Sequence, residues 1–296
     1  MRKSIAAIIV YKPSVNLASL VEQLYEQNCD VLFILNSNEE FVLDLIEDKK
    51  LKYFDNNNNN VGVAKALNMA IDYFLSSNSK YLFTFDQDSS LGETYVSSMI
   101  NLFENKIVVN PNIVCASPNI IDIKYTDLFM LSEINSMNKN LNKFNYTNVD
   151  FAITSGSLFS RNSFLKVGKM YEALFIDGVD TEWCERAIIK GYNIIRADDV
   201  YLSHKIGSKY IKIFGIRKSY HDNDIRVYYI IRNYIHLIFS KSTRFEWKII
   251  QLTKILLRIF AYPILSSKKI TTTKYVFLAV KDAFFNKMGK MSYIDH

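Results

Sequence analysis

The sequence predicts an α/β fold, with a mostly parallel central sheet flanked by helices and a C-terminal helical extension. Three observations carry this. Over roughly the first 120 residues, short β-type apolar runs alternate with segments whose apolar residues recur at helical spacing. The runs stop at polar clusters, and beyond Lys205 the pattern reads as helices alone. Strands alternating with helices at this spacing imply βαβ units, whose parallel strands need crossover helices.

Each element has its own signal. Ser4–Tyr11 (SIAAIIVY) is a buried strand ended by Lys12-Pro13, and Leu17, Leu20, Val21 and Leu24 mark a helix over Leu17 to Gln27. Val31–Leu35 is a second strand ended by Asn36-Ser37-Asn38, and Leu51–Phe54 a short third. After Gly62, residues Val63, Leu67, Ile71 and Phe74 share one helix face, and Tyr81–Phe85 forms a strand stopping at Asp86-Gln87-Asp88. Asp122 to Asn148 is polar and Asn-rich, as expected for an irregular excursion. Val149–Phe159 and Asn193–His204 read as further strands, with a helix over Thr181–Lys190 between them. Helices follow over Asp224–Phe239, Arg244–Tyr262 and Lys274–Lys287. The expected division is 1–215 and 216–296, the first split into halves of about 1–120 and 121–215.

Composition excludes several classes. With 296 residues, 49% hydrophobic and 22% charged, the chain is globular rather than disordered, and 9 Gly and 4 Pro exclude a fibrous protein. Cys29, Cys115 and Cys184 are too scattered for a disulfide framework or zinc cluster, which fits a reducing compartment. No leader is expected, because Ser4–Val10 is short and lacks a cleavage site. No spanning helix is expected either, because Ile255–Leu265 is interrupted by Arg258 and Pro263. The sequon at Asn145 reads as chance. Charge is uneven. From His204 onward there are 18 Lys and Arg against 5 Asp and Glu, a net of +13, whereas residues 1–203 hold 18 against 25, a net of −7. A basic tail on an acidic body predicts an anionic partner.

In open parallel sheets, ligands bind beyond the carboxyl ends of the strands. Asp86 and Asp88 stand there, and paired carboxylates suit Mg²⁺ or Mn²⁺, although D-x-D alone reads as a solvated turn. In Asp177-Gly178-Val179-Asp180-Thr181-Glu182, Asp180 is placed as an N-cap or as a general base, and Glu182 with Arg186 as an ion pair. His204 closes its strand, where a packed or surface histidine is the commoner role. The chain lacks G-x-G-x-x-G and the P-loop pattern, and Gly156 lacks the G-x-S-x-G context of a hydrolase.

Taken in order, these segments resemble the family-two inverting glycosyltransferases of GT-A fold, in their bacterial dTDP-L-rhamnose-dependent branch. The resemblance rests on IIVYKP, on NVGVAKALN from Asn60 to Asn68, and on FTFDQDS around Asp86–Ser89. It continues through TSGSLFS (Thr154–Ser160), FIDGVDTEWCERAIIKGY (Phe175–Tyr192), His204 and RVYYIIRNYIHL (Arg226–Leu237), so that it covers about residues 4 to 240. It implies that Asp88 and His204, with Asp86, hold the divalent metal. It places Val10, Tyr11, Asn36, Asn38, Lys65, Asp86 and Gln87 at the nucleotide sugar, and Ser155, Gly156, Glu182 and Trp183 on the acceptor side. Asp180 becomes the base of a single inverting displacement. Two departures stand out: Leu35-Asn36-Ser37-Asn38 replaces D-N-x-S, and Val179 precedes Asp180 where the family has Glu.

The implied partners are dTDP-L-rhamnose and a polyprenyl-diphosphate-linked glycan of surface-polysaccharide synthesis, such as O-antigen or capsule. Trp247, Ile250, Lys254 and Leu257, beside Arg244, Lys248 and Arg258, form an apolar-plus-basic pattern that suits either a membrane surface or packing on the catalytic domain. The expected location is cytoplasmic, peripheral on the inner face of the bacterial inner membrane. Nucleic acid is not expected, since no recognition motif is present, and a homodimer stays open. The same class with a UDP- or GDP-linked sugar, or a non-catalytic scaffold, are the alternatives.

Overall fold

In the computed structural model, the described residues are 4–13, 17–37, 40–49, 51–57, 59–122, 145–204, 209–213, 216–220 and 223–292. The first half runs β1 (Ser4–Val10), α1 (Leu17–Glu26), β2 (Asp30–Leu35), α2 (Glu40–Lys49), β3 (Lys52–Asp55), α3 (Val63–Ser76), β4 (Tyr81–Asp86), β5 (Ser90–Leu91), α4 (Tyr95–Val109) and β6 (Ile113–Asp122). Then come β7 (Tyr146–Val149), β8 (Leu158–Ser160), α5 (Arg161–Val167), a 3₁₀ turn at Glu172–Leu174, α6 (Val179–Ile189) and β9 (Asn193–His204). The pair β10 (Lys209–Ile213) and β11 (Ile216–Tyr220) leads into α7 (Asp224–Phe239), α8 (Phe245–Leu265) and α9 (Lys269–Phe284).

Strand order is β3-β2-β1-β4-β8-β6-β9-β5, with β7 on β9. The β3-β2-β1-β4 half is parallel, as the crossovers α1, α2 and α3 require, whereas β8 is antiparallel to both β4 and β6. Its apolar strands are buried on both faces: Ile8, Phe33 and Phe83 pack toward α1 and α4, and Ala7, Leu32 and Leu82 toward α3 and α5. Because β1 and β4 are parallel neighbours, their carboxyl ends, Tyr11-Lys12 and Asp86-Gln87-Asp88, lie at one sheet edge.

Two sequence expectations change. Val149–Phe159 is not one strand: β7 ends at Val149, and the chain turns at Thr154–Ser157, where Gly156 has φ +77 and the Ser157 amide donates to the Thr154 carbonyl, before β8 begins. The segment after Lys205 is not helical throughout, since β10 and β11 form an antiparallel pair. Of the predicted excursion, residues 123–144 lie outside the described residues. All three cysteines are buried and none forms a disulfide. No described helix is long and apolar enough to cross a membrane.

Candidate active site

The site is assembled from the ends of β1, β2 and β4 and from the turn that opens α6. At the first edge, the Gln87 side-chain amide donates to the Tyr11 carbonyl (3.0 Å) while its oxygen accepts from the Tyr11 amide (2.9 Å), joining β1 to β4. The Lys12 amide donates to Ser37 Oγ (2.7 Å), and Lys12 takes φ +45 to do so. The Val10 carbonyl accepts the Asn36 amide at 2.8 Å. Asn56 Nδ2 donates to Asn36 Oδ1 at 3.0 Å, bringing β3 to the same rim. Tyr11, Lys65 and Asp86 are exposed, and Gln87 and Asp88 half-buried.

Beneath this rim lies a layer of small polar residues. Ser155 Oγ accepts the Asp86 amide (3.1 Å) and bonds Ser89 Oγ (3.0 Å), so it fixes the acidic turn from below. Gly156 is buried with φ +77, and a side chain there would strike the Tyr95 hydroxyl, which itself donates to the Gly156 carbonyl at 2.6 Å.

The second wall is the turn Phe175–Gly178. Phe175 (φ +65), Asp177 (φ +60) and Gly178 (φ +80) all adopt left-handed backbone, an arrangement that surrounding contacts must hold in place. α7 supplies those contacts. Asn233 Nδ2 reaches the carbonyls of Leu174 (2.9 Å), Ile176 (2.7 Å) and Asp177 (2.8 Å). Arg232 adds Leu174 (3.3 Å) and carries its other arm to the Gly289 carbonyl at 2.8 Å. The turn also abuts α3: the Ala64 amide donates to the Phe175 carbonyl (3.2 Å), and only a glycine fits at Gly62, φ +84, beneath the Phe175 ring. Asn68 continues this seam, taking the Met170 amide (2.9 Å) and donating to the Glu172 carboxylate (2.8 Å).

Asp180 stands on this turn. Burial pushes its carboxyl up from 3.8 to about 6; the Thr181 amide donating at 2.8 Å opposes the rise, and the negative charges of Asp177 and Asp86 add to it. Asp177 is likewise raised by burial despite Arg226, whose Nε lies 3.2 Å from both its oxygens. Arg258, over the Tyr234 ring at 5.0 Å, adds a second cation beside Asp177. Asp180 therefore feels both Asp86 at the end of β4 and Asp177 on its own turn.

Several expected roles are corrected. Asp180 is not the N-cap: the helix starts at Val179, its N-cap is Gly178, and Asp180 sits in the first turn. Trp183 is 1% exposed, packs edge-on against Phe159 and donates to the Gly168 carbonyl at 2.8 Å, so it cannot stack on an acceptor. Glu182 is equally enclosed; Arg186 grips both its oxygens at 2.8 Å, which is the ion pair read from the i,i+4 spacing. Val10, Asn36, Ser155 and Gly156 are buried and shape the rim from behind rather than facing a substrate. Asn38 and the His204 side chain lie outside the described residues; of His204 only the backbone is placed, opposite Asp122. Among described residues no group of three or more His, Cys, Asp or Glu side chains forms a metal cluster. The sequence reading named Asp177, Arg226 and Arg258 without giving them a place in the site, and it did not foresee the grip of Arg232 and Asn233 on the turn. The available signal was FIDG followed, some fifty residues on, by RN inside an aromatic helix.

Comparison with known proteins adds to this geometry. The profile of the family described as "Glycosyl transferase family 2" matches residues 6–168. The dTDP-rhamnosyl transferase RfbF of Shigella flexneri is 32% identical over 235 residues, which are 77% of this chain and 77% of that one. Among solved structures, S. aureus TarS superposes with a TM-score of 0.56 at 12% identity, over 90% of this chain and 44% of that one. GalNAc-T7 with UDP, GalNAc and Mn²⁺ gives 0.58 at 12% identity, over 96% and 57%. This chain thus spans about half the length of those two structures, and at such identity the likeness concerns the fold.

Proposed function

Because the chain belongs to glycosyl transferase family 2 and is a glycosyltransferase of GT-A fold, we propose that it moves L-rhamnose from dTDP-L-rhamnose to a hydroxyl of a glycan acceptor. The donor rests on the similarity to the Shigella flexneri enzyme. The observation that carries the chemistry is Asp180: a desolvated carboxyl, raised to about 6, within the electrostatic reach of Asp86 at the end of β4.

In this reading the nucleotide lies along the rim of Tyr11, Lys65 and Asp86. Asp180 accepts the proton of the acceptor hydroxyl as its oxygen forms a bond to C1 of rhamnose. The C1–oxygen bond to the diphosphate breaks on the opposite side, the electron pair leaves with dTDP, and the anomeric configuration inverts. Orienting both substrates supplies much of the rate, since the reaction is otherwise bimolecular. A base near 6 is ionised at neutral pH yet basic enough to take a proton in the transition state.

The donor set fits a divalent cation, Mg²⁺ or Mn²⁺, because Asp86 and Asp88 are hard oxygen ligands at the end of β4, and Asp86 adds its negative charge to the burial that raises Asp180. When bound, such an ion would neutralise charge on the departing diphosphate. His204 stays a proposed third ligand. The acceptor is proposed to be a glycan on a polyprenyl diphosphate, and the enzyme to work peripherally on the inner face of the bacterial inner membrane. The division at 215/216 is proposed to separate roles, catalytic before and supporting after. It is not proposed as a boundary between independently folding units, given the hold of Arg232 and Asn233 on the turn.

The test compares thermal stabilisation by dTDP, UDP and GDP, with and without Mg²⁺ or Mn²⁺, followed by turnover of the corresponding sugar nucleotides. Selective stabilisation by dTDP and consumption of dTDP-L-rhamnose is the expected result. Preference for UDP or GDP sugars would overturn the donor, and binding without turnover by any acceptor would favour a scaffold. Asp180→Asn is expected to lower turnover by about 10²–10⁴-fold while dTDP still binds; unchanged turnover would remove Asp180 as the base.

A further inference from the structure

α8 is amphipathic in an unusual sense, with two differently occupied faces. Its inner face carries buried Gln251, Ile255 and Tyr262 and presents Arg258 to the Tyr234 ring. Trp247, for which the sequence left a membrane surface and packing on the catalytic domain both open, turns in and stacks on Tyr234 at 6.0 Å. The outer face remains apolar. Phe245, Ile249, Leu256, Leu257, Phe260 and Ile264 are all at least half exposed, with Leu257 at 66% and Phe260 at 69%. At 3.6 residues per turn these side chains share one arc, and Lys248 and Lys254 fall on its two edges.

α9 repeats the pattern independently. Ile270, Phe277 and Phe284 recur every seven residues, 69% to 76% exposed, while Thr272, Val276, Ala279 and Ala283 fill its buried side. Lys274 and Lys281 flank the exposed stripe. Phe284 also meets Phe239 at the end of α7, with ring centroids 6.2 Å apart, which extends the apolar surface to a third helix. Isolated surface apolar residues need no explanation, but long arcs on two consecutive helices do.

Charge decides what covers this surface. Residues 241–292 contain nine lysines, eight of them exposed, against two carboxylates. Of those two, Asp282 is buried, leaving Glu246 as the one exposed carboxylate of that segment. A second copy of the chain would set lysine against lysine and bring almost no negative charge in return. An anionic surface that also accepts aromatic and aliphatic side chains satisfies both features.

We infer that the outer faces of α8 and α9 form a single interfacial platform that lies in the plane of an anionic lipid leaflet, its Phe, Leu and Ile side chains among the acyl chains and its lysines at the headgroups. α8 is the pivot. Its inner face presents Arg258 to the Tyr234 ring, where its charge is felt by Asp177 of the acidic turn, and its outer face would meet the leaflet. This inference deepens the proposed location at a membrane surface and rests on it, but it is independent of the proposed reaction, because vesicle binding requires neither donor nor acceptor.

The test is co-sedimentation of the full chain with vesicles of phosphatidylglycerol and phosphatidylcholine, or of phosphatidylcholine alone, at low and high salt. The wild type is expected to pellet with the anionic vesicles, less with neutral ones, and less again at high salt. Leu257→Glu/Phe260→Glu is expected to lower partitioning about tenfold or more, and Ile270→Glu/Phe277→Glu likewise. Both variants alter exposed positions, and an unchanged melting temperature in dTDP-free buffer shows that each is folded. Absence of wild-type binding to anionic vesicles, or variants that bind as well as wild type, would overturn the platform. So would a wild-type dimer that Leu257→Glu/Phe260→Glu makes monomeric while vesicles bind neither form, since the face would then belong to a second copy.

Discussion

Asp180 combines two demands in one carboxyl. Its folded value of about 6 exceeds the ordinary 3.8, so the folded state binds a proton where the unfolded chain has released it. The group therefore weakens the fold as pH rises from about 4 through about 6, and the loss persists above that window. In the metal-free protein, Asp180→Asn should be more stable than wild type at pH 7.5 by on the order of 2 kcal/mol, the difference shrinking toward pH 4. Urea midpoints at the two pH values measure this. The same ionisation predicts that wild-type turnover falls below pH about 6. At this scale the sequence was informative about chemistry and weak about orientation. The Glu182–Arg186 pair followed from helical spacing, whereas Asp180, placed by the sequence as an N-cap or a general base, sits inside the first turn. Its displacement from cap to first turn depends on the positive φ of Asp177 and Gly178, which tertiary contacts impose. Whether Trp183 faced solvent or core likewise depended on α5 and β8, remote in sequence.

Among the elements, strands with continuous apolar runs were the most legible. β1, β2 and β4 lie within a residue of expectation, because burial on both faces leaves little choice of side chain. Short strands beside turns were not. β8 has three residues and owes its pairing to β4 and β6 on either side, not to its own pattern. β10 and β11 each have five residues, pair with each other, and mix basic with apolar positions in a way that also suits a helix. The helix over Asp224–Phe239 was expected, but not the contacts of this element, α7, whose Arg232 and Asn233 satisfy carbonyls of the strained turn. Asn233→Ala would leave as many as three carbonyls without that donor. It is expected to cost about 1–3 kcal/mol and, on the proposed reading that the turn carries the base and the rim the nucleotide, to lower kcat more than donor affinity. Chemical denaturation alongside a kcat and KM comparison separates the two effects, and an equal loss in both constants would point to general unfolding.

Across the whole molecule, the acidic body and basic C-terminal region are not loosely joined. Arg244 at the start of α8 bonds the buried Glu185 carboxylate of α6 at 2.8 and 3.0 Å and reaches Asp150 at 3.0 Å. Removing one partner of such a buried pair leaves an uncompensated charge, so Arg244→Ala should destabilise the protein by about 3–5 kcal/mol, read from its urea midpoint. The grip on the Asp180 turn likewise runs through Arg232 to the Gly289 carbonyl, and the Met291 amide donates to the Tyr229 hydroxyl at 2.9 Å. That linkage sets an order of events during synthesis. The strands and the acidic turn emerge from the ribosome long before α7, and α7 before the segment that anchors its arginine. The supported form of the turn is therefore acquired late, once residues near 290 are free to close over α7, and a nascent chain halted earlier would carry Asp180, the proposed base, on an unsupported turn.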